Sequence, residues 1–492
     1  MAATSAWAIE VAGVRVDTRH WIGGQRVASE ETFEDVSPVD GRVLGQVAAG
    51  GAAQADAAVA AAKAAFAGWS RMGPQARGEI LFRLADLVEE NIEQLAQLET
   101  MDNGSLLRSH RRGVMPRVAM NIRFFADYAI NRLEYPVFET RGHHNHVSWD
   151  PSGVTVIITP WNAPLMLATW RIGPALAAGD TVVLKPPEWA PLTASYFADL
   201  TEQAGLPPGV FNVVQGLGPQ AGAPLTAHPD VARICFTGSV PTAKVIARAA
   251  AENLTPCSFE LGGKSPTVIL DDADLDLAVD LALEQYDNAG QVCLAGTRLL
   301  VQRGIAEAFE QRFIERAAQI RQGDPRDEDT QIGPNIHLRH VERIKGFVDR
   351  ARQDGATVAY GGEVNTALGD HYFTPTLIRD ASPGSEILTQ EVFGPVLTMQ
   401  VFDTDEEGLA LANGTEFGLA ACVVSGDRAR AEAFCKHLVA GTIWVNCFFV
   451  RDLSAPFGGS KKSGIGREGG IWSFDFYADV KNTVYAPNGW KE

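Results

Sequence analysis

At 492 residues the chain is too long for one ordinary hydrophobic core, so two or more domains are expected. Apolar residues make up 46% and charged residues 21%, the mix of a water-soluble globular protein. The 60 acidic and 42 basic residues leave a formal charge of −18, a field that repels DNA, RNA and anionic lipid headgroups but spares a small anion held by local arginines.

Residues 20–49 alternate short apolar runs with turn residues and predict small hairpins. Helices are expected at 52–69 and at 76–98, where Ile80, Leu81, Leu84, Leu87, Val88, Ile92 and Leu95 fall on one stripe. A further helix is expected at 113–128 and polar hairpin strands at 134–150. From 153 the texture changes. Strands at 154–159, 181–185, 210–214 and 233–237 alternate with helices at 164–178, 191–204, 219–227 and 240–253. Such alternation means βαβ units and a parallel, doubly wound sheet, with ligands at the carboxyl ends of the strands. A second series begins near 265 (SPTVIL, LLVQ, TPTLI, LTMQVF, ACVVSG, TIWVN), so the domain break is placed near 255–265.

The six cysteines, at 235, 257, 293, 422, 435 and 447, show no CxxC pair and read as reduced thiols. No apolar stretch is long enough for a membrane span, and MAATSAWAIE lacks the basic and apolar regions of a secretory leader. A cytoplasmic protein is expected, with neither nucleic acid nor membrane as partner.

Polar clusters follow three predicted strands: Asn162 in TPWNAPL, Lys185 and Glu188 in KPPE, and Gly238 and Ser239 in FTGS. A helix start with a glycine can seat a phosphate, because free N–H groups and the helix dipole both favour an anion. Ordinary βα turn chemistry explains any one cluster but explains three together poorly. GIGREG (464–469) fits G-x-G-x-x-G but follows loop sequence, and it reads as a flexible C-terminal loop. Cys293, in GQVCLAG between Gly290 and Gly296, offers a thiol whose backbone a ligand can approach. Glu260, before two glycines in FELGGKSP, suits a mobile carboxylate base. A cysteine taken alone is more often a core residue, so the residues themselves reach a nucleotide-binding α/β enzyme with a possible thiol–carboxylate pair. No metal site is expected. His143, His144 and His146 read as surface residues; His337 and His340 lack HExxH; the Asp272, Asp274 and Asp276 run has Leu277 where a calcium loop needs glycine.

TPWN, KPPE, FTGS, FELGGKSP, GQVC, EVFGP and PFGGSKKSGIGRE stand in the order and spacing of the aldehyde dehydrogenase superfamily, which the sequence resembles over nearly its whole length. The resemblance implies an α/β fold of two doubly wound parallel-sheet domains plus a β-arm oligomerisation domain. It places an NAD-binding domain at 1–127 and 151–260, a catalytic domain at 261–445, and the arm at 128–150 and 471–492, pairing chains into a homodimer or homotetramer. It makes Cys293 the nucleophile, Glu260 the general base and Asn162 the side-chain half of an oxyanion hole. For the cofactor it implies Lys185 and Glu188 on the adenosine ribose, Gly218, Gly238 and Ser239 on the pyrophosphate, Trp161 in the same cleft, and Glu391 and Phe393 on the nicotinamide ribose and ring. Glu188 favours NAD over NADP, since a carboxylate repels a 2′-phosphate. A CoA-acylating dehydrogenase generally lacks this glutamate at 260.

The segments holding Arg117 (VMPRVAMNIRFFADY) and Arg451 (NCFFVRDLSAPFGG) resemble the branch oxidising 2-hydroxymuconic and 5-carboxymethyl-2-hydroxymuconic semialdehydes. That likeness implies a carboxylate-bearing semialdehyde from aromatic catabolism, gripped by both arginines beside Trp170, because a guanidinium fork matches a carboxylate. The competing reading pairs Arg451 with Asp452 or another acid, leaves Arg117 to solvent and makes the substrate an uncharged aryl or aliphatic aldehyde. Ser454, Lys461 and Lys462 depart from that branch.

Overall fold

The computed structural model describes residues 7–488; the outer ends of the expected cofactor domain and arm, 1–6 and 489–492, lie outside the described residues. The first βα series forms an eight-stranded sheet in the order Gly464–Ile465, Cys257–Leu261, Val231–Gly238, Val154–Ile158, Thr181–Lys185, Phe211–Val213, His20–Ile22, Gln25–Val27. Its five middle strands run parallel, with Lys185 beside Ile158, Ile158 beside Phe236, and Gly238 beside Leu261. Their carboxyl ends are therefore level. The Val154–Ile158 and Thr181–Lys185 strands are buried at every residue, as strands covered on both faces must be. Alternate residues serve different cores. Ile157, Val182 and Leu184 pack with helices Pro74–Glu90, Met115–Asn131 and Pro164–Ala178, while Val156, Ile158 and Val183 pack with Ala52–Arg71 and Val240–Ala251.

The second series forms a seven-stranded sheet in the order Thr357–Tyr360, Thr376–Arg379, Val396–Phe402, Arg298–Gln302, Pro266–Ile269, Ala420–Val424, Thr442–Val445. All six strands expected there are present and parallel, and an antiparallel edge, Thr357–Tyr360, joins them. In a third, antiparallel sheet Ala478–Tyr485 pairs with His143–Pro151, which pairs with Val137–Thr140. No helix among the described residues is long and apolar enough to cross a membrane.

Several expectations need correction. GIGREG is not a free loop: Gly464–Ile465 is an edge strand, pairing antiparallel with Phe259 and Glu260. The helix expected at 76–98 is two, Pro74–Glu90 and Ile92–Asn103, broken at Asn91, whose amide donates to Leu87 O at 2.8 Å. The helices expected at 113–128 and 219–227 open with wide turns, His110–Val114 and Gly218–Gly222. A first hairpin, Ala8–Val11 with Val14–Asp17, was not expected at all.

Candidate active site

Three chain segments converge on a cavity of about 710 Å³ lined by Asn162, Glu260 and Cys293. Asn162 follows the Val154–Ile158 strand, and Glu260 sits within Cys257–Leu261 opposite Thr237 and Gly464. Cys293 follows a turn in which Asn288 and Ala289 take left-handed φ of 50° and 55°. Asn288 braces that turn: its amide donates to Asn162 O at 3.1 Å and its oxygen accepts from Ser105 Oγ at 2.7 Å. The Asn162 amide donates to Gln291 O at 2.9 Å, and a primary amide has a second N–H to offer.

The glycines around these residues do something other than expected. A Cβ at Gly290 would stand 2.1 Å from Gly394 O, and one at Gly296 2.1 Å from Thr267 Oγ1, so both serve internal packing and not ligand approach. The pair after Glu260 makes the room: a Cβ at Gly263 would be 2.6 Å from Cys293 O, and one at Gly262 2.1 Å from Glu391 Oε2. Only glycine lets three reactive segments come this close.

Burial, then the negative charges of Glu391 and Glu260, pushes the Cys293 thiol up to about 12 against the pull of Arg451. Burial and the Glu468 charge raise Glu260 to about 8, opposed by Arg171, Arg451 and Arg467, and Glu260 Oε1 has no protein partner. With nothing bound, both groups hold protons at neutral pH.

The residues expected at the cofactor lie outside that cavity, along the level strand ends and across from them. Lys185 ends its strand buried, with Nζ donating to Pro186 O at 2.8 Å and to Glu188 Oε2 at 3.3 Å; Glu188 is half-buried. Gly218 opens the turn that packs on Lys185, where a Cβ at Gly222 would meet Lys185 Cδ at 3.6 Å. Gly238 ends its strand, and Ser239 caps helix Val240–Ala251 by accepting from Thr242 N at 3.4 Å. From the second sheet, Glu391 accepts from Gly263 N at 3.0 Å, beside the Cys293 carbonyl. Phe393, at a left-handed φ of 59°, meets Trp161 edge-on at 5.2 Å. Arg343 donates to Glu391 O at 2.6 Å, and His340 Nε2 lies 2.6 Å from Phe393 O, which fixes that loop. His337 stacks on Trp189 at 4.7 Å. Asp274 caps a helix through Leu277 N, and Asp272 accepts from Ser425 Oγ. Among the described residues no three such side chains cluster as metal ligands.

Arg117, Arg451 and Trp170 line the same cavity as Cys293. Arg117 is half-buried, not solvent-exposed, and feels the charge of Asp452, which accepts from Ser454 N at 2.7 Å and is not in an ion pair with either arginine. Among the described residues neither arginine forms an ion pair. The Arg451 guanidinium lies 3.6 Å from the Phe457 ring centre and 4.9 Å from that of Trp170. Burial, then the like charge of Arg117, lowers Arg451 to about 10, still cationic at neutral pH.

Two residues here were missed in the sequence. Arg171 and Glu468 form an ion pair at 3.2 Å with both side chains only 1% exposed. Glu468 also accepts from Trp170 Nε1 and, at 3.2 Å, from Ser258 Oγ. Glu468 lies inside GIGREG, 298 residues from Trp170, and no local pattern marks it.

The sequence model described as "Aldehyde dehydrogenase family" matches residues 25–483. The chain is 42% identical to a 2-hydroxymuconic semialdehyde dehydrogenase of Pseudomonas sp. (strain CF600), covering 95% of this chain and 99% of the relative. It is 39% identical to a 2-aminomuconic semialdehyde dehydrogenase of Bos taurus, covering 94% and 96%. It superimposes with a TM-score of 0.93 on a betaine aldehyde dehydrogenase from Staphylococcus aureus in complex with NAD+, at 38% identity over 97% of this chain and 96% of that one.

Proposed function

The chain belongs to the aldehyde dehydrogenase family, and from that premise we propose that it oxidises a carboxylate-bearing semialdehyde to the acid with NAD+. The observation carrying the substrate class is that Arg117 and Arg451 line the cavity of Cys293 and, among the described residues, neither is in an ion pair, although Asp452 acts on Arg117 and Glu260 and Glu468 act on Arg451 from farther off. A buried guanidinium is costly unless it meets an anion, and a substrate carboxylate supplies one. Relatives named for muconic semialdehydes, products of aromatic catabolism, support the same class.

In this reading Cys293 gives its thiol proton to the ionised form of Glu260 as Sγ adds to the aldehyde carbon, and the new oxyanion meets the spare Asn162 N–H and the Cys293 backbone N–H. Preorganised donors of this kind contribute roughly 3–4 kcal/mol each. The cofactor, when bound, would supply the acceptor for the hydride that leaves this carbon as the oxyanion collapses to a thioester. Once Glu260 has passed its proton to solvent, it takes one from the water that attacks the thioester, and the Cys293 thiolate leaves the acid and regains a proton.

The residues fit a dinucleotide. Lys185 and Glu188 would hold the adenosine ribose, with Glu188 repelling the 2′-phosphate of NADP. Gly218, Gly238 and Ser239 would face the pyrophosphate at a helix start where Pro241 has no N–H and Thr242 N is held by Ser239, which leaves the Val240 N–H and the Ser239 hydroxyl for an anion. Trp161 would line the cleft, and Glu391 and Phe393 would reach the nicotinamide side. We assign the cofactor domain to 1–127 and 151–260 and the catalytic domain to 261–445. The arm, 128–150 and 471–492, pairs copies into a homodimer or homotetramer, and the protein works in the cytoplasm.

The test compares 6-oxohexanoate with hexanal, following NADH at constant NAD+. Truncating a buried charge contact costs about 2–5 kcal/mol, so kcat/KM should favour 6-oxohexanoate by about thirtyfold or more. Equal values would overturn the substrate class. NADH formation by Cys293→Ala would overturn the mechanism.

A further inference from the structure

Arg117 and Arg123 share the helix Met115–Asn131 but are held differently. Arg123 is half-exposed and bonded to two carboxylates, Asp86 and Glu89, each at 2.6 Å. Arg117 faces the cavity, and its one hydrogen bond among the described residues runs from Nε to Asn121 Oδ1 at 3.1 Å, one helical turn on.

The direction of the Asn121 amide is fixed from behind. Asn121 is buried, and its Nδ2 donates to Met166 O at 3.2 Å and to Thr169 Oγ1 at 3.3 Å on helix Pro164–Ala178. The Thr169 hydroxyl proton lies toward Leu165 O, at 3.0 Å, or Met166 O, so toward Asn121 it accepts. A flipped amide would set Oδ1 against the Met166 carbonyl and NH2 against the Arg117 Nε–H. Only one orientation satisfies all four groups. Helix Pro164–Ala178 also carries Trp170, the ring beneath Arg451, so one helix anchors both guanidiniums.

We propose that Asn121 is a positioning residue for substrate selection: its neutral amide fixes Arg117 by Nε, leaves both Nη groups toward the cavity, and does not cancel the charge. This rests on the reading that the cavity takes a distal carboxylate. An aspartate at 121 would keep an acceptor but neutralise Arg117 and turn lone pairs on the Met166 carbonyl. A serine would leave Arg117 charged but unheld.

The test measures kcat and KM for 6-oxohexanoate and for hexanal in the wild type, Asn121→Asp and Asn121→Ser. Hydrogen bonds to charged groups contribute about 1.5–3 kcal/mol, so Asn121→Asp should raise KM for 6-oxohexanoate by about tenfold or more. Its kcat should stay within about twofold and its hexanal kinetics should not move. Asn121→Ser should shift the same KM by a smaller factor, and it decides alone if Asn121→Asp does not fold. A parallel rise in both KM values, or none in either, overturns the role of Asn121. A wild type that treats the two aldehydes alike overturns the carboxylate reading itself, whereas a selective wild type whose variants stay selective overturns only the positioning role.

Discussion

Two guanidiniums, Arg171 buried and Arg451 half-buried, lie close to Trp170 and are treated in opposite ways. Arg171, the next residue along the helix, is paired with Glu468, and both are closed off from solvent. Arg451, against the indole ring and the Phe457 ring, forms no ion pair among the described residues, feels the charges of Arg117, Glu260 and Glu468 across the space around it, and borders an open cavity. A buried charge matched within the chain is part of the folded structure, whereas one held by neutral rings is, in the proposed reading, kept for a substrate carboxylate.

That contrast is open to attack by mutation. Arg171→Met should lose the most, because Glu468 is then left buried without its cation. Breaking one side of such a pair costs about 3–5 kcal/mol, seen as a lower denaturant midpoint. Arg451→Met should stay within about 1 kcal/mol of the wild type or be more stable, since an apolar chain replaces a half-buried cation that has no ion pair among the described residues. Equal losses in the two variants would erase the distinction.

Trp170→Phe sharpens the same point on a smaller scale. It keeps a ring under Arg451 but leaves Glu468 without its indole donor, a loss of about 1–3 kcal/mol. Stability should fall while preference for 6-oxohexanoate is largely kept; a fall in preference alone would reverse the roles given to ring and N–H.

The smallest effect concerns the thiol. With Cys293 at about 12, the thiolate fraction in the ligand-free protein rises tenfold per pH unit, so alkylation by iodoacetamide should be slow at neutral pH and climb steeply above it. Glu260, at about 8, becomes a carboxylate over the same range and opposes that climb. Removing the Arg451 charge should slow alkylation roughly threefold at each pH, the size of a screened interaction of about 0.6 kcal/mol. Faster alkylation in Arg451→Met would contradict the sign.

How much of this was legible follows from range along the chain. The parallel strands and their helices are written in local apolar periodicity, and Asn162, Lys185 and Gly238 follow from strand ends. Glu468 is not legible, because its meaning comes from Trp170, Arg171 and Ser258, all more than 200 residues away, and because a glycine-rich frame disguises the strand beside it. Asn121 stands one turn from Arg117, a spacing visible in sequence, but the bonds that orient its amide come from another helix. Gly262 and Gly263 suggested mobility, whereas their place against Glu391 and Cys293 shows close packing.

The most direct measurement is the ratio of kcat/KM for a semialdehyde to that for its neutral amide isostere, taken in the wild type and in Arg451→Met under saturating NAD+. An arginine that waits for a carboxylate predicts a large ratio that collapses toward one in the variant while the folded protein keeps its stability. A ratio unchanged by the substitution would show that this guanidinium recognises nothing on the substrate.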